Sequence, residues 1–536
     1  MDFNPQQLEA INSNERTILC LSAAGVGKTR VLIERTKRLV NEGIDPTSIL
    51  CLTFTNAAAF EMKERYKTSP GVNLALPIPE FRTFHGFCYS LIVKDPAIRE
   101  RLGYSKIPEL CDDAMLKDIK ARVKLQIGCT LPDSSLDNDV FLSKKDQESK
   151  NLFLKALAKQ LKKDNLITFD IMCYNVCEMF VQNMDCIKQY KEKYKYVSVD
   201  EFQDTDPRQF KFISSFPETT NFFLVGDILQ SIYAFRGCTN EFAKQLVNAP
   251  GWKVIKMFEN YRSTQEICDF ANNFSRYSKD EFRIVMHGQH SSGEKPEVIY
   301  GSCSSYNEPV DEDHLRILIE KLKANKNESA ILCSTNKECA AVREALKEAN
   351  IDYSSNSKPK DTLDYLEAAL SNDYMLEWLS SMLEARDYGD YLRMSALQDN
   401  PDIKWFLANY GRVEKVKTHA NKVAEIRKVC SDNMLHPMEK FEKITKLLRV
   451  KSKCKFEGNE FTSNKEIIDM IKAQVEEQQE NTIYVGTVHS AKGLEYDTVY
   501  VMGVNDKMFE LGSEEKNNLY YVAITRAKNH LTVFRR

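Results

Sequence analysis

The chain has 536 residues, 43% of them hydrophobic and 28% charged, with a formal net charge of −3. That length exceeds what one hydrophobic core organises, and the composition is that of folded globular protein rather than disorder. The near-neutral charge excludes a global basic field, and no apolar run approaches the length that spans a bilayer.

The first 85 residues alternate strands with helices. A strand is expected at Ile18 to Leu21, a helix at Thr29 to Asn41, a second strand at Ile49 to Phe54 and a helix at Ala57 to Tyr66. This is a parallel βαβ pattern. From 86 to 190 the chain turns helical and charged, with a polar stretch from Pro132 to Lys150. Strands return at Tyr196 to Asp200, Phe222 to Gly226 and Ala330 to Cys333, the last followed by a helix from Lys337 to Ala349. A second helical, charged stretch runs from about 354 to 480. Strands at Thr482 to Val485 and Thr498 to Met502, a helix from Lys516 to Ala527 and a final strand close the chain. The fifteen cysteines are scattered without a C-x-x-C pair, and Cys173 and Cys177 read as small buried apolar residues of a reducing cytosol rather than metal ligands. With no signal pattern at Met1-Asp2-Phe3-Asn4, the expectation is a cytoplasmic protein without membrane contact, prokaryotic or phage-encoded rather than nuclear.

Two segments carry phosphate chemistry. Ser22-Ala23-Ala24-Gly25-Val26-Gly27-Lys28-Thr29 follows a buried strand and opens a helix. Glycines let backbone N–H groups approach phosphate oxygens at the positive end of the helix, Lys28 suits the β/γ-phosphates, and the Thr29 hydroxyl suits magnesium. Ser22 stands where such loops usually have a glycine. The alternative is a tight strand–helix turn with a lysine nearby. Asp200-Glu201-Phe202-Gln203-Asp204 follows the strand at Tyr196 to Val199. There Asp200 can hold magnesium through water and Glu201 can orient or deprotonate an attacking water. Adjacent acids on a loop are otherwise merely solvated.

Further along, Gln230 has the chemistry to sense a γ-phosphate. Tyr233 and Phe235 either offer faces to stacking bases or pack in the core. Arg262, in Glu259-Asn260-Tyr261-Arg262-Ser263, and Arg526, in Tyr520 to Lys528, can act as arginine fingers on a nucleotide held between two α/β cores.

Taken in order, DEFQDT, VGDxxQSIYxFRG, NYRS, TVHSAKGLE and YVAITRA resemble the motifs of superfamily 1A helicases of the UvrD/PcrA/Rep type. The resemblance runs from Asn4 to Arg526 and is weak in the two helical stretches. It implies an α/β fold of two RecA-like P-loop NTPase cores with parallel sheets, each interrupted by a mainly helical insertion. The first core would comprise 1–85 and 191–265 around an insertion 1B at 86–190. The second would comprise 266–353 and 481–536 around a reduced insertion 2B at 354–480. The resemblance further implies that Gln7 reads adenine and that Arg30 and Tyr261 sandwich the base. Lys28, Thr29, Asp200, Glu201, Gln230, Arg262 and Arg526 match the phosphate, magnesium and catalytic set, and Glu495 a nucleotide-contacting acid. Phe54, His85, Tyr233, Phe235 and His489 match positions along a single-strand track. ATP and Mg2+ are the implied cofactors, and single-stranded DNA or a 3′-tailed duplex the implied partner, with 3′ to 5′ movement.

Several positions depart from the family pattern. Val26 joins Ser22 in the phosphate loop, Ala57 stands where a lysine is common, Ser334 and Ala340 where arginines are frequent, and Phe235 where tryptophan is usual. The chain runs only ten residues past Arg526. A strand-splitting hairpin is common there in relatives, so translocation is better supported than unwinding. A second reading is an ATP- and DNA-binding subunit that recruits or regulates a nuclease or a repair or replication factor.

Overall fold

The computed structural model describes residues 2–111, 113–137, 143–233, 238, 241–275, 282–290, 293–301, 310–325, 327–354, 360–383, 385–398, 401–432, 434–448, 450, 463–479, 483–504 and 514–535. These fall into two compact units. One comprises Met1–Thr83, Tyr190–Leu363 and Asp469–Arg536, the other Phe84–Gln189 and Asp364–Ile468.

The first unit contains two six-stranded sheets whose neighbouring strands are all parallel, as two RecA-like cores require. In the first sheet the spatial order is Glu80–Thr83, Ile49–Thr53, Tyr196–Val199, Asn221–Gly226, Thr17–Ser22, Lys253–Met257. Thr17–Ser22 is buried along its whole length, which is why it reads as a continuous apolar run rather than an alternating one. Register aligns Leu21 with Gly226 and Val199 with Leu224, so the loops after three adjacent strands emerge at one edge. That carboxyl edge is where open parallel sheets bind ligands. The second sheet runs Glu297–Tyr300, Ala527–Arg535, Tyr496–Val504, Ser329–Cys333, Ile483–Thr487, Tyr353–Ser354. Buried residues of both sheets join in one apolar cluster that includes Cys20, Val225, Leu332 and Val499.

In the first sheet two strands escape the sequence reading, Glu80–Thr83 and Lys253–Met257. Both lie at the edges of the first sheet, where solvent on one side erases the apolar run that marks central strands.

The second unit is mainly helical. Its only short strands among the described residues, Glu109–Leu110 and Leu166–Ile167, pair parallel with each other. Cys111, Ile119, Val123, Phe153, Leu157 and Leu161 form one of its cores. Tyr89 ties its two chain segments together, its hydroxyl donating to the Pro108 and Gly389 carbonyls at 3.2 and 3.3 Å. Among the described residues no helix is long and apolar enough to cross a membrane.

Candidate nucleotide site and strand track

The phosphate loop turns on two glycines with left-handed backbone, Gly25 at φ 69° and Gly27 at φ 78°. A Cβ on Gly25 would lie 2.7 Å from Asn260 Nδ2, so only glycine fits. Gly27 opens the helix Lys28–Asn41, aiming its first N–H groups at the loop's hollow. Ser22 has its own task here, its hydroxyl donating to the Gly226 carbonyl at 2.9 Å and tying the loop's root to the neighbouring strand. Ala23 N–H donates to the Met257 carbonyl on the other side at 3.0 Å.

At the mouth of the loop, buried Gln7 donates from Nε2 to the Val26 carbonyl at 2.9 Å. It is placed by the Asn4 capping box of the helix Pro5–Asn12. Asn4 Nδ2 also donates to the Tyr261 hydroxyl at 2.9 Å, and Tyr261 donates to Glu259 at 3.0 Å. The Arg30 guanidinium lies over the Phe3 ring, 4.1 Å from its centre.

Inside the edge, Thr29 Oγ1 donates to Asp200 Oδ2 at 3.0 Å, and Lys28 Nζ stands 3.5 Å from Glu201 Oε2. Glu201 holds a left-handed backbone, φ 54°, a strained conformation for a residue with a side chain. Gln203 fastens it, Nε2 donating to Glu201 Oε2 at 2.6 Å while Oε1 accepts from Asp227 N at 2.9 Å. Asp227 in turn accepts from Gln230 Nε2 at 2.8 Å. Burial, aided by the adjacent Glu201 charge, raises Asp200. Burial opposes ionisation of Glu201 too, but Lys28, Lys492, the Gln203 amide and Arg526 outweigh it and hold that carboxyl down. The arrangement keeps an ionised acid beside a lysine in a partly buried site.

The second sheet contributes its own groups to this edge. Arg526 is fully buried, with Nε on the Val522 carbonyl at 2.9 Å and Nη2 reaching Gln230 Oε1 at 3.4 Å. Burial and the neighbouring Arg262 lower it to about 9. Arg262 Nε donates to Glu495 Oε2 at 2.7 Å and Nη1 to the Thr525 carbonyl at 3.1 Å. Thus Lys28, Asp200, Glu201, Gln230 and Arg526 converge, with Arg262 and Glu495 beside them.

The oxygen donors Thr29 and Asp200, adjacent to a glycine loop with a lysine, are the hard-ligand chemistry that magnesium with nucleotide phosphates demands. The residues present fit that ion.

Of the track residues, Tyr233 and His489 come together, ring centres 6.2 Å apart. Tyr233 is half-buried against the core, with Lys492 Nζ 4.7 Å above its ring, so it is neither a solvated nor a fully buried side chain. Phe54, also half-buried, follows the strand Ile49–Thr53. His85 belongs to the second unit, near the start of the helix Phe84–Lys94, its ring edge-on to Phe169 at 5.8 Å. Phe235 lies outside the described residues.

Four residues that no sequence argument singled out do much of the positioning. Gln203 holds Glu201. Asn260 donates to the Ala24 carbonyl at 2.8 Å and accepts from Arg262 N at 2.7 Å. Lys492 pairs with Asp204 and donates to the Gln230 carbonyl at 2.8 Å. Tyr521 accepts at its hydroxyl from Ala24 N at 3.2 Å. All four sit within motifs quoted above, but their partners are set only by tertiary packing.

Residues 3–250 match the family model described as the UvrD/REP helicase N-terminal domain, and residues 255–360 and 395–535 match that of the UvrD-like helicase C-terminal domain. The chain is 27% identical to YjcD of Bacillus subtilis (strain 168), over 99% of its own length and 78% of the relative's. It is 25% identical to the ATP-dependent DNA helicase PcrA of Staphylococcus epidermidis (strain RP62A), covering 99% and 83%. The similarity to PcrA of Staphylococcus aureus (strain Mu50) is the same, 25% over 99% and 83%.

Proposed function

The chain belongs to the UvrD/PcrA/Rep family, and from that membership we propose that it hydrolyses ATP between its two sheets to travel 3′ to 5′ along single-stranded DNA. It is an ATP-dependent DNA helicase of the PcrA/UvrD type. The observation that carries the proposal is the approach of Arg526, from the second sheet, to Gln230 of the first at 3.4 Å. A γ-phosphate there is sensed by both sheets at once, so hydrolysis changes what holds them together. The functional division follows the same logic, with first core 1–85 and 191–265, second core 266–353 and 481–536, and insertions at 86–190 and 354–480.

In this reading Gln7 recognises adenine, and Arg30 and Tyr261 flank the base. The loop from Ser22 to Gly27 gives its amides to phosphate oxygens. Lys28 neutralises the β/γ-phosphates. Magnesium, held by Thr29 and Asp200, would supply further charge neutralisation. Glu201, kept ionised by the cations around it, accepts a proton from the attacking water, and Gln203 fixes the oxygen that does so. Arg262, Arg526 and Gln230 stabilise charge that develops on the γ-phosphate, worth about 10³–10⁵ in rate for such arginines. Glu495 positions Arg262. Bases pass Phe54, His85, Tyr233, Phe235 and His489, stacking on rings at about 1–3 kcal/mol per base. The natural partner is single-stranded DNA or a 3′-tailed duplex in the cytoplasm, and affinity falls as salt rises because cationic contacts release counterions.

Strand displacement with 3′-tailed and 5′-tailed duplexes, alongside ATPase rates with and without single-stranded DNA, tests this. Activity is expected on the 3′-tailed substrate alone, and Lys28→Ala or Glu201→Gln abolishes DNA-stimulated hydrolysis. Wild-type turnover by either variant would falsify the site assignment, and preference for the 5′ tail would reverse the direction.

A further inference from the structure

The helices Phe84–Lys94 and Phe169–Val181 of the second unit bring three thiols together. Cys88, Cys173 and Cys177 place their sulfurs within 4.8 Å of one another, with Cys173 and Cys177 4.0 Å apart. All three are buried, at 1%, 4% and 2% exposure. A thiophilic ion with sulfur bonds of about 2.3 Å spreads three sulfurs about 3.5–4 Å apart, so small side-chain adjustments close the set. No His, Asp, Glu or further Cys among the described residues joins the group. The two helices are well buried around the group: Phe87 of the first meets Phe180 of the second with ring centres 6.2 Å apart, and Val176 and Met172 are fully buried.

We propose that Cys88, Cys173 and Cys177 form a three-sulfur site for a trivalent thiophilic ion, of which arsenite is the simplest carrier. Charge decides the ion. Three thiolates carry −3, so a cuprous ion leaves −2 and zinc −1 in a buried site, where uncompensated charge is costly. Structural zinc also takes four ligands, and the group supplies three. A trivalent centre leaves none. The step is a ligand exchange, As(OH)₃ + 3 Cys–SH → As(S–Cys)₃ + 3 H₂O. Three As–O bonds break, three As–S bonds form, the thiol protons leave with the hydroxides, and nothing is oxidised. The ion would bridge the two helices. Without Cys88 the two sulfurs of one helix cannot satisfy it.

Prolonged incubation of the full chain with arsenite, removal of excess, elemental analysis and X-ray absorption at the arsenic edge test the site. Expected are one arsenic per chain with three sulfur neighbours and a raised thermal midpoint. Cys88→Ser and Cys177→Ser should each weaken binding at least tenfold while DNA-stimulated ATPase stays unchanged. The double variant Cys333→Ser/Cys339→Ser, which removes another close thiol pair, should bind as wild type. Binding that survives Cys88→Ser, a two-sulfur arsenic, or zinc held in preference to arsenic would overturn the assignment. If the serine variants do not fold, the sulfur count in the wild-type chain decides alone.

Discussion

Lys492 and Asp204 form an ion pair at 2.5 Å with side chains only 9% and 2% exposed, joining the loop after a strand of the second sheet to the loop after a strand of the first. Lys492 also donates to the Gln230 carbonyl and covers the Tyr233 ring. One ammonium group therefore touches the proposed phosphate sensor and the proposed strand track together. Its removal strands a buried carboxylate. Lys492→Ala is expected to destabilise by about 3–5 kcal/mol, as broken buried pairs do. The double variant with Asp204→Ala should cost less than the two singles summed, and chemical denaturation of the four proteins measures the coupling.

Gln203→Ala should leave ATP binding intact and slow hydrolysis. Gln203 touches Glu201 and Asp227 rather than the phosphate loop. The expected loss in kcat is about tenfold, short of the ~10²–10⁴ that follows loss of a general base itself. Steady-state kinetics with saturating DNA read the split, and a changed KM with unchanged kcat would contradict the positioning role.

Gly25→Ala and Gly43→Ala separate backbone strain from collision. Both glycines have positive φ, 69° and 92°, but a Cβ at Gly25 meets Asn260 at 2.7 Å and Arg262 at 2.9 Å, whereas nothing lies within 4 Å of one at Gly43. Gly43→Ala should cost about 1 kcal/mol from backbone strain alone. Gly25→Ala should cost more and weaken ATP affinity. Thermal melting and nucleotide titration of the two variants provide the comparison.

Glu495 gives a pH signature. Burial pushes its carboxyl up, but Arg262 and Lys528 outweigh that and hold it down at about 2, below its ordinary 4.5. A depressed acid stabilises the fold above its unfolded value, so the contribution is complete above about pH 4.5 and disappears as pH falls towards 2. The stability gap between wild type and Glu495→Gln should shrink across that window. Added salt should shrink it too, because the side chain is 43% exposed.

How much of this was legible depended on where each residue's partner lies. Thr17–Ser22 and Ser329–Cys333, buried from end to end, announce themselves as apolar runs. Lys253–Met257 is broken by lysines at its first and fourth positions, at a sheet edge, and does not. The strand–loop–helix of Lys28 and the acid pair after Val199 are local patterns, so they could be read directly. Gln203 was visible as a letter in a motif but not as the brace of Glu201, because its second partner, Asp227, lies on another strand's loop. The sulfur of Cys88 meets those of Cys173 and Cys177 only through the packing of two helices. Tyr233 reads from sequence as either core or track, and its ring is half-buried against the core with a cationic neighbour above it.

The Ala24 amide hydrogen is already spoken for. Tyr521 holds it from the second sheet at 3.2 Å, at a loop where phosphate oxygens would seek the same donor. Were the proposed nucleotide to claim that amide, its arrival and this tether would be rivals for one hydrogen, and the phenol would have to yield before the loop closed on its cargo. Occupancy of the loop would then loosen one link between the halves while the γ-phosphate created others, an exchange of fastenings at a single backbone position.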